Sequence, residues 1–363
     1  MPKILSISTY QPPYVITQQN AVRLTRELFQ ENYEDIERLL KVFENGEIIK
    51  RHFCVPIEWF GQPHTLEERN HLYIELATTY GVEAIKKCLQ NKIFLLENID
   101  PSSIDAIIFV SSSGFSTPSI DARIMNRLPF NDELKRVPIW GLGCAGGASG
   151  LSRAFDYCLA HPKEKVLLVC VELCSLTFQR EDHSKSNLIG ASLFSDGVAC
   201  ALVCGDDVDI PIQKAIPSII ATASKWMPDS ENIMGWDMKN NGLHVVFSKN
   251  IPTIIRGWLG PFVQQFLSTH NKSAQDITHF VAHPGGKKVL EAYEETLAFD
   301  RSKTDGSRAI LEENGNMSSP TILYVLEHFM KNPCSSGDTG LMAALGPGFS
   351  GELLLIEWKN QGG

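Results

Sequence analysis

The sequence predicts an α/β fold in which helices cover both faces of the sheet. Strand-like apolar runs alternate with helical patterns along the chain, and the run at residues 105–111 lacks polar alternation. Such strands are typical of sheets buried between helix layers. A strand is predicted at 3–8, helices at 18–30 and 33–44, and a further helix after the capping-box pattern at 65–68. Apolar residues repeat every four positions along that helix: Leu72, Leu76, Tyr80, Ala84 and Cys88.

The two halves of the chain carry the same order of predicted elements. In the first half, the Gly-rich segment 143–149 leads into a helix and then a strand. In the second half, segment 314–318 leads into a helix and then into strands that flank residues 346–348. Because the element order matches while the residue identities differ, we predict two similar halves, residues 1–214 and 215–363.

Composition and charge describe an ordinary globular protein of 363 residues. The formal net charge is -9, which argues against nucleic acid as the main partner but leaves room for a local basic patch. No apolar run approaches the length of a membrane span, and the N-terminus lacks the pattern of a secretory signal. The cytoplasm is therefore the expected location.

Cys144 is the cysteine whose surroundings predict reactivity. The nine cysteines include no C-x-x-C pair, so neither a zinc site nor a redox motif is indicated. Small residues at 141–148 surround Cys144 between a predicted strand and a predicted helix, where glycines permit a sharp turn. A helix N-terminus favours thiolate over thiol. Taken alone, the segment is also typical of a tight turn whose cysteine only packs.

Two further loops carry residues that suit a nucleophilic cysteine. His283 ends a predicted strand at 277–282 and precedes the sequence Pro-Gly-Gly, a position from which a histidine can act on a neighbour. Asn316 lies in segment 313–319, which by itself indicates a turn and a helix cap. Cysteine, histidine and asparagine in loops of similar type form a set that nucleophilic thioester chemistry can use.

The segments around these three residues resemble the catalytic loops of chalcone-synthase-like type III polyketide synthases. The resemblance extends over residues 3–358, includes segments 172–179, 192–197 and 343–349, and is strongest to bacterial, Bacillus-type alkylpyrone synthases. It implies a five-layered αβαβα thiolase fold, built from two similar halves, and a homodimer. It also implies an acyl-CoA starter and malonyl-CoA as substrates, with no metal or other cofactor.

The resemblance implies a role for each of the three residues. Cys144 attacks the starter thioester and holds the acyl group on sulfur. His283 forms an imidazolium–thiolate pair with Cys144, and His283 and Asn316 stabilise the enolate that forms when malonyl-CoA loses carbon dioxide. A long-chain fatty acyl starter is expected, with triketide and tetraketide alkylpyrones as products and alkylresorcinols as further products.

Other positions take their expected roles from the same resemblance. They are Phe194 and Phe247 as gatekeepers of decarboxylation; Ser112, Ser113, Cys174, Thr177, Gly346, Pro347 and Gly348 for the acyl cavity; and Arg38, Lys41, Gly285 and Gly286 for CoA. Ordinary core packing is the alternative for the phenylalanines. A merely solvated helix face is the alternative for the basic pair. Asn45 stands where the family carries a third basic residue, so the CoA pattern is incomplete.

Three other functions use or retain the same fold. A ketoacyl-acyl-carrier-protein synthase III condenses once and takes malonyl from a carrier protein. A hydroxymethylglutaryl-CoA synthase or thiolase has Glu or a second Cys in the role of Asn316. A degenerate scaffold protein would retain the fold without catalysis. Segment 173–178 and the Gly-Pro-Gly loop at 346–348 favour a type III polyketide synthase, and the intact Cys, His and Asn argue against the scaffold.

Overall fold

The computed structural model describes residues 1–248 and 250–360. Its strands are, in chain order, β1 (Lys3–Tyr10), β2 (Tyr14–Thr17), β3 (Lys50–Phe53), β4 (Ala106–Val110), β5 (Lys135–Ile139), β6 (Lys165–Leu173), β7 (Asp196–Cys204), β8 (Ile216–Trp226), β9 (Met234–Lys239), β10 (Gly242–Phe247), β11 (His279–Ala282), β12 (Thr339–Gly346) and β13 (Ser350–Lys359). Its α-helices are α1 (Gln18–Phe29), α2 (Ile36–Glu44), α3 (Leu66–Leu89), α4 (Ile120–Met125), α5 (Gly146–Ala160), α6 (Lys185–Leu193), α7 (Ile251–Ile254), α8 (Gly260–Thr269), α9 (Lys287–Leu297), α10 (Asp305–Asn314) and α11 (Thr321–Lys331). None of the helices in these two ranges combines the length and hydropathy that crossing a bilayer requires.

Nine strands form a mixed sheet in the order β11-β12-β13-β8-β1-β7-β6-β4-β5. Strands β1 and β8 meet through a single residue pair, Lys3 with Ser218, so the sheet has two parts joined at one corner. Each part contains parallel and antiparallel neighbours: β11 is parallel to β12, and β4 is parallel to β5 and β6. Two small antiparallel sheets, β2-β3 and β9-β10, lie outside this arrangement.

Helices α5 and α11 lie between the two parts of the sheet. Helix α5 contacts β4, β6 and β7 on one side and β8, β12 and β13 on the other. Successive side chains of β13 alternate between two cores, as the strand period of two requires: Leu354 packs in the core with α5 and α11, and Leu355 packs in the core with α8 and α9. With α3 packed on β1, β6 and β7, the layers run helix, sheet, helix, sheet, helix, which confirms the predicted fold.

The predicted start of α3 is confirmed, and the start of α2 lies later in the chain than predicted. The Thr65 side chain accepts a hydrogen bond from the backbone N–H of Glu68, and the Glu68 carboxylate accepts one from the backbone N–H of Thr65 at 2.8 Å. Helix α2 begins later than the predicted residue 33, because the Asp35 side chain caps it by accepting from the backbone N–H of Arg38 at 3.1 Å.

Candidate active site

Cys144 lies in a tight turn between β5 and α5, and its side chain is buried. The hydroxyl oxygen of Ser112 accepts hydrogen bonds from the backbone N–H groups of Gly141 and Gly143, each at 3.2 Å. Gly143 has a φ of 46°, and a Cβ at this position would lie 2.9 Å from Cδ of Pro347. Glycine is required here by both the backbone conformation and the close approach of the neighbouring loop.

Asn316 presents its amide oxygen to Cys144. Its Oδ1 lies 3.8 Å from Sγ of Cys144 and accepts a hydrogen bond from the backbone N–H of Ser318 at 2.8 Å. Because an N–H group can only donate, this contact fixes which end of the amide is the oxygen. The Nδ2 group therefore points the other way and donates to the carbonyl oxygen of Gly285 over a long 3.4 Å. Because this hydrogen bond is weak, Nδ2 can exchange it for a hydrogen bond to a substrate oxygen.

His283 follows β11 and is held by its backbone, whose N–H donates to the carbonyl of Ala343 on β12 at 2.8 Å. The side chain is only 2% exposed. Neither ring nitrogen has a hydrogen-bond partner within the described ranges. Buried polar atoms are normally paired, so an imidazole with two unpaired nitrogens is suited to a ligand that supplies the partner.

Burial determines the charge state of the nucleophile and of the imidazole. Burial raises the pKa of Cys144 to about 11, although hydrogen bonding with Ser318 and Asn316 acts to lower it and the charge of Glu172 raises it further. Burial lowers the pKa of His283 to about 3. At neutral pH these shifts favour a thiol and a neutral imidazole. Burial alone therefore acts against the imidazolium–thiolate pair that the family resemblance implies.

Glu172 is a buried residue of the site to which the sequence interpretation assigned no role. Its carboxylate accepts hydrogen bonds from the backbone N–H of Ser112 at 3.0 Å and from the hydroxyl of Ser319 at 2.9 Å. It thus connects the turn that holds Cys144 to the segment before α11. Burial raises the pKa of Glu172 to about 7. The available signal was a glutamate within an otherwise apolar strand.

Phe194 lies beside both Cys144 and Asn316 in the folded chain. The backbone of Asn316 pairs with residues 193–195, and the Arg51 guanidinium donates to the carbonyl oxygen of Phe194 at 2.8 Å. The rings of Phe194 and Phe247 lie 6.5 Å apart in an edge-to-face arrangement. The structure therefore brings both predicted gatekeepers to the site.

A cavity of about 380 Å³ opens at Cys144. It is lined by Gly143, Cys144, Cys174, Phe194, Met234, Gly235, Trp236, Val245, Val246, Phe247, Ser318 and Pro347. A second cavity, of about 650 Å³ including space open to solvent, shares Cys174, Phe194, Trp236 and Val245 with the first. We call it the α1 cavity. Its other walls come mainly from α1, α6 and the aromatic residues Phe53, Phe60 and Phe178.

The remaining predicted cavity residues have different positions. Thr177 lines the α1 cavity and also a third cavity of about 280 Å³, which Ser113 lines as well. Ser112 supports the Cys144 turn through its hydroxyl group. Gly346 packs closely against that turn, since a Cβ there would lie 2.4 Å from the carbonyl oxygen of Leu142. The carbonyl oxygen of Gly348 accepts a hydrogen bond from the indole of Trp226.

The predicted CoA positions lie at the surface and at the start of α9. Arg38 and Lys41 are exposed on α2, and Asn45, which follows that helix, is exposed as well. Gly285 is half-buried and contacts Asn316, as described above. Gly286 is buried next to the first turn of α9.

Comparison with known proteins identifies the family. The model of the N-terminal domain of chalcone and stilbene synthases matches residues 2–207, and the model of the C-terminal domain matches residues 218–358. This chain belongs to the chalcone and stilbene synthase family. Members of this family are type III polyketide synthases, which transfer acyl groups from CoA thioesters and need no metal cofactor.

Individual family members resemble the chain over nearly its full length. A Bacillus subtilis (strain 168) protein provisionally named a chalcone synthase is 49% identical over 359 residues, covering 98% of each chain. The 1,3,6,8-tetrahydroxynaphthalene synthase of Streptomyces peucetius is 34% identical over 357 residues, which cover 98% of this chain and 93% of that protein. The crystal structure of the Streptomyces coelicolor A3(2) enzyme of that name superposes with a TM-score of 0.91 at 29% identity, covering 99% of each chain. These matches favour a type III polyketide synthase over the three other functions that the sequence left open.

Proposed function

We propose that this type III polyketide synthase extends a long-chain fatty acyl group held on Cys144. Repeated decarboxylative condensation with malonyl-CoA then gives triketide and tetraketide alkylpyrones, with alkylresorcinols as further products. The observation that carries the proposal is the α1 cavity. It is larger than the cavity at Cys144, is mainly apolar and begins at residues that both cavities share.

The α1 cavity suits an alkyl chain because of its lining. Leu24, Leu28, Phe60 and Phe178 present hydrocarbon surface to it. The buried guanidinium group of Arg51 also lines the cavity. It donates to two backbone carbonyl oxygens and lies over a phenylalanine ring. Each methylene group that leaves water contributes roughly 0.8 kcal/mol to binding. A long acyl chain therefore gains more from this cavity than a short or a polar starter.

Acyl loading in this proposal starts from a neutral pair. As Sγ of Cys144 attacks the starter thioester, its proton passes to His283, whose ring nitrogens have no other partner within the described residues. The tetrahedral intermediate then expels CoA, which leaves as the thiol after taking up the proton, and the acyl group remains on sulfur. General base catalysis of this kind typically contributes a factor of roughly 10² to 10⁴ in rate.

Decarboxylation and condensation use the side-chain donors of Asn316 and His283. Nδ2 of Asn316 and a ring N–H of His283 hydrogen-bond to the malonyl thioester oxygen, which becomes an enolate oxygen when carbon dioxide leaves. The enolate carbon attacks the acyl group on Cys144, and the diketide departs on CoA. Phe194 and Phe247 form the apolar wall beside the malonyl carboxylate, where poor solvation favours loss of the charged group. The lengthened chain reloads onto Cys144 before an enol oxygen closes the pyrone.

A homodimer is part of the proposal. Strand β5 is the edge of the nine-stranded sheet, and four of its five residues are exposed. Val137 on this strand is 38% exposed, and Trp140, which follows it, is 52% exposed. An unpaired edge with exposed apolar side chains is suited to pairing with a second copy of the chain.

Three further expectations remain part of the proposal. CoA binds over Arg38, Lys41 and the start of α9, a helix N-terminus without a side-chain cap among the described residues that can meet a phosphate. The two similar halves of the chain are residues 1–214 and 215–363. The enzyme works in the cytoplasm, in keeping with cysteines that form no disulfides in the described ranges.

A panel of starters tests the proposed substrate class. Purified enzyme is given malonyl-CoA with acetyl-, hexanoyl-, decanoyl-, myristoyl- or stearoyl-CoA, and the products are identified by mass spectrometry. We expect kcat/KM to rise with chain length and the main products to be alkylpyrones after two or three extensions. A preference for acetyl- or malonyl-CoA as starter would contradict the proposal, and so would a single condensation that requires acyl carrier protein.

A further inference from the structure

Three metal-ligating side chains meet at the opposite ends of the strands that lead to the active site. They are His279 at the start of β11, Cys334 after α11, and Asp338 immediately before β12. One ligand atom from each of them lies within 4.8 Å of the other two. Cys334 and His279 are 55 positions apart in the sequence, so motif spacing could not predict this cluster.

We propose that His279, Cys334 and Asp338 bind one divalent cation of the zinc class. The donor set of one imidazole nitrogen, one thiolate and one carboxylate suits zinc, and water takes the fourth position. Zinc ligands lie about 2.0–2.3 Å from the ion, which places them roughly 3.5 Å from one another in a tetrahedron. Side-chain rotations that move the three atoms by about 1 Å therefore close the site.

The surroundings of the cluster hold its ligands in place. Nε2 of His279 lies 2.9 Å from the Asp338 carboxylate, and the His279 ring packs against Trp358 at 5.0 Å. The Asp338 carboxylate also accepts the backbone N–H of Ser335 at 2.8 Å. Both hydrogen bonds go to Oδ2 of Asp338, which fixes the orientation of the carboxylate in the cluster.

Binding rearranges two protons. The Cys334 thiol now donates to the carbonyl oxygen of Phe329 at 3.3 Å, and its proton passes to solvent when sulfur coordinates the ion. The proton that Nε2 of His279 shares with Asp338 moves to Nδ1, so that Nε2 gives its lone pair to the ion in place of that hydrogen bond.

The position of the site gives the ion a structural role. Strands β11 and β12 are parallel neighbours, and the ion joins them where they begin. Where they end, they carry His283 and the loop that starts at Gly346. Binding stabilises the part of the sheet that carries His283 and the loop starting at Gly346. Condensation itself proceeds without the metal.

Cobalt binding tests the site on the full chain. The enzyme is stripped with a chelator in a Cys144→Ala background, which removes the active-site thiol as a competing ligand, and is then titrated with Co²⁺. We expect one ion per chain with a thiolate-to-cobalt charge-transfer band, and we expect Zn²⁺ but not Mg²⁺ to raise Tm by several degrees. Cys334→Ser should abolish the band and weaken Zn²⁺ binding at least tenfold.

His161→Gln is the matched control, since His161 also lies beside a carboxylate, 3.6 Å from Glu164, but the metal-ligating cluster does not include it. It should bind Co²⁺ and Zn²⁺ as the parent does. Absence of the band in the parent, or a band that survives in Cys334→Ser, would overturn the metal site. Either result leaves the proposed polyketide synthesis untouched, because that activity is assayed separately in chelated enzyme with Cys144 intact.

Discussion

The side-chain amide of Asn316 lies across the nucleophile, with Oδ1 3.8 Å from Sγ of Cys144 and Nδ2 turned toward Gly285. The two ends of one amide thus serve different partners. The oxygen accepts from the thiol and from the Ser318 backbone, which leaves the amide nitrogen as the donor available to a substrate oxygen. We therefore propose that Asn316 assists decarboxylation and is not needed for acyl transfer to sulfur.

Replacing Asn316 by alanine should separate the two half-reactions. Removing one donor to a developing oxyanion costs on the order of 10²- to 10³-fold in rate, so malonyl-CoA decarboxylation should fall by at least this factor. Acylation of Cys144 by the starter should persist within a few-fold, as measured by intact-protein mass spectrometry. Cys144→Ala is the control and should lose the acyl adduct. Retained decarboxylation in Asn316→Ala would contradict the role of the amide.

The alkylation rate of Cys144 should increase with pH up to about 11. Only the thiolate reacts, and below its pKa the thiolate fraction rises tenfold per pH unit. Iodoacetamide labelling followed by peptide mass spectrometry measures this profile. Cys334→Ser simplifies the assay, because Cys334 is more exposed than Cys144 and competes for the reagent. A rate that levels off near neutral pH would instead show a resting imidazolium–thiolate pair.

Glu172→Gln should increase the alkylation rate of Cys144 at a fixed pH. The Glu172 charge raises the pKa of Cys144, and glutamine removes that charge while retaining groups that can meet Ser112 and Ser319. Folding stability gives a second readout. Because burial raises the pKa of Glu172 from 4.5 to about 7, the parent loses stability as pH rises through this window, and the variant should lose less.

Glu352→Gln is the control for this experiment. Glu352 is also a buried carboxyl group with a raised pKa, and it hydrogen-bonds to the Ser224 hydroxyl at 2.7 Å on β8. Its replacement should leave Cys144 alkylation unchanged. Equal acceleration in both variants would mean that general loosening of the fold, not the Glu172 charge, exposes the thiol.

Ala191→Phe should shorten the preferred starter. Ala191 lines the α1 cavity, and a phenyl group there excludes the end of a long acyl chain. Displacing three or four methylenes at roughly 0.8 kcal/mol each predicts a fall on the order of 10²-fold in kcat/KM for stearoyl-CoA. Hexanoyl-CoA should be used within a few-fold of the parent rate. The surface variant Ala160→Phe is the control, and an unchanged chain-length profile in Ala191→Phe would place the acyl chain elsewhere.

Val137→Lys should convert a dimer into monomers. A lysine on the edge strand β5 introduces a charge that pairing with a second copy has to bury. Sedimentation velocity of the parent should show a dimer and that of the variant a monomer with unchanged far-ultraviolet circular dichroism. Val15→Lys alters a more exposed valine, on β2, and should remain dimeric. A Val137→Lys enzyme that stays dimeric would place the interface on another face.

Much of the fold could be predicted from local patterns in the sequence. The apolar run at β4 and the capping box of α3 depend on interactions within a few residues, so their signals are complete in the chain itself. The sequence also marked Cys144, His283 and Asn316, since each lies in a loop next to a strand or helix with a clear pattern. The family resemblance joined these three residues into one site.

Features that depend on contacts between distant segments of the chain could be found only in the tertiary structure. Glu172 joins the two sides of the active site only because β6 places it beside Ser112 and Ser319, which come from distant segments. The charge states of Cys144 and His283 follow from burial, which depends on every element packed around them. The α1 cavity and the cluster of His279, Cys334 and Asp338 likewise form only when folding brings distant segments together. Sequence patterns report local interactions, whereas cavities, buried charge and ligand geometry are properties of the folded chain.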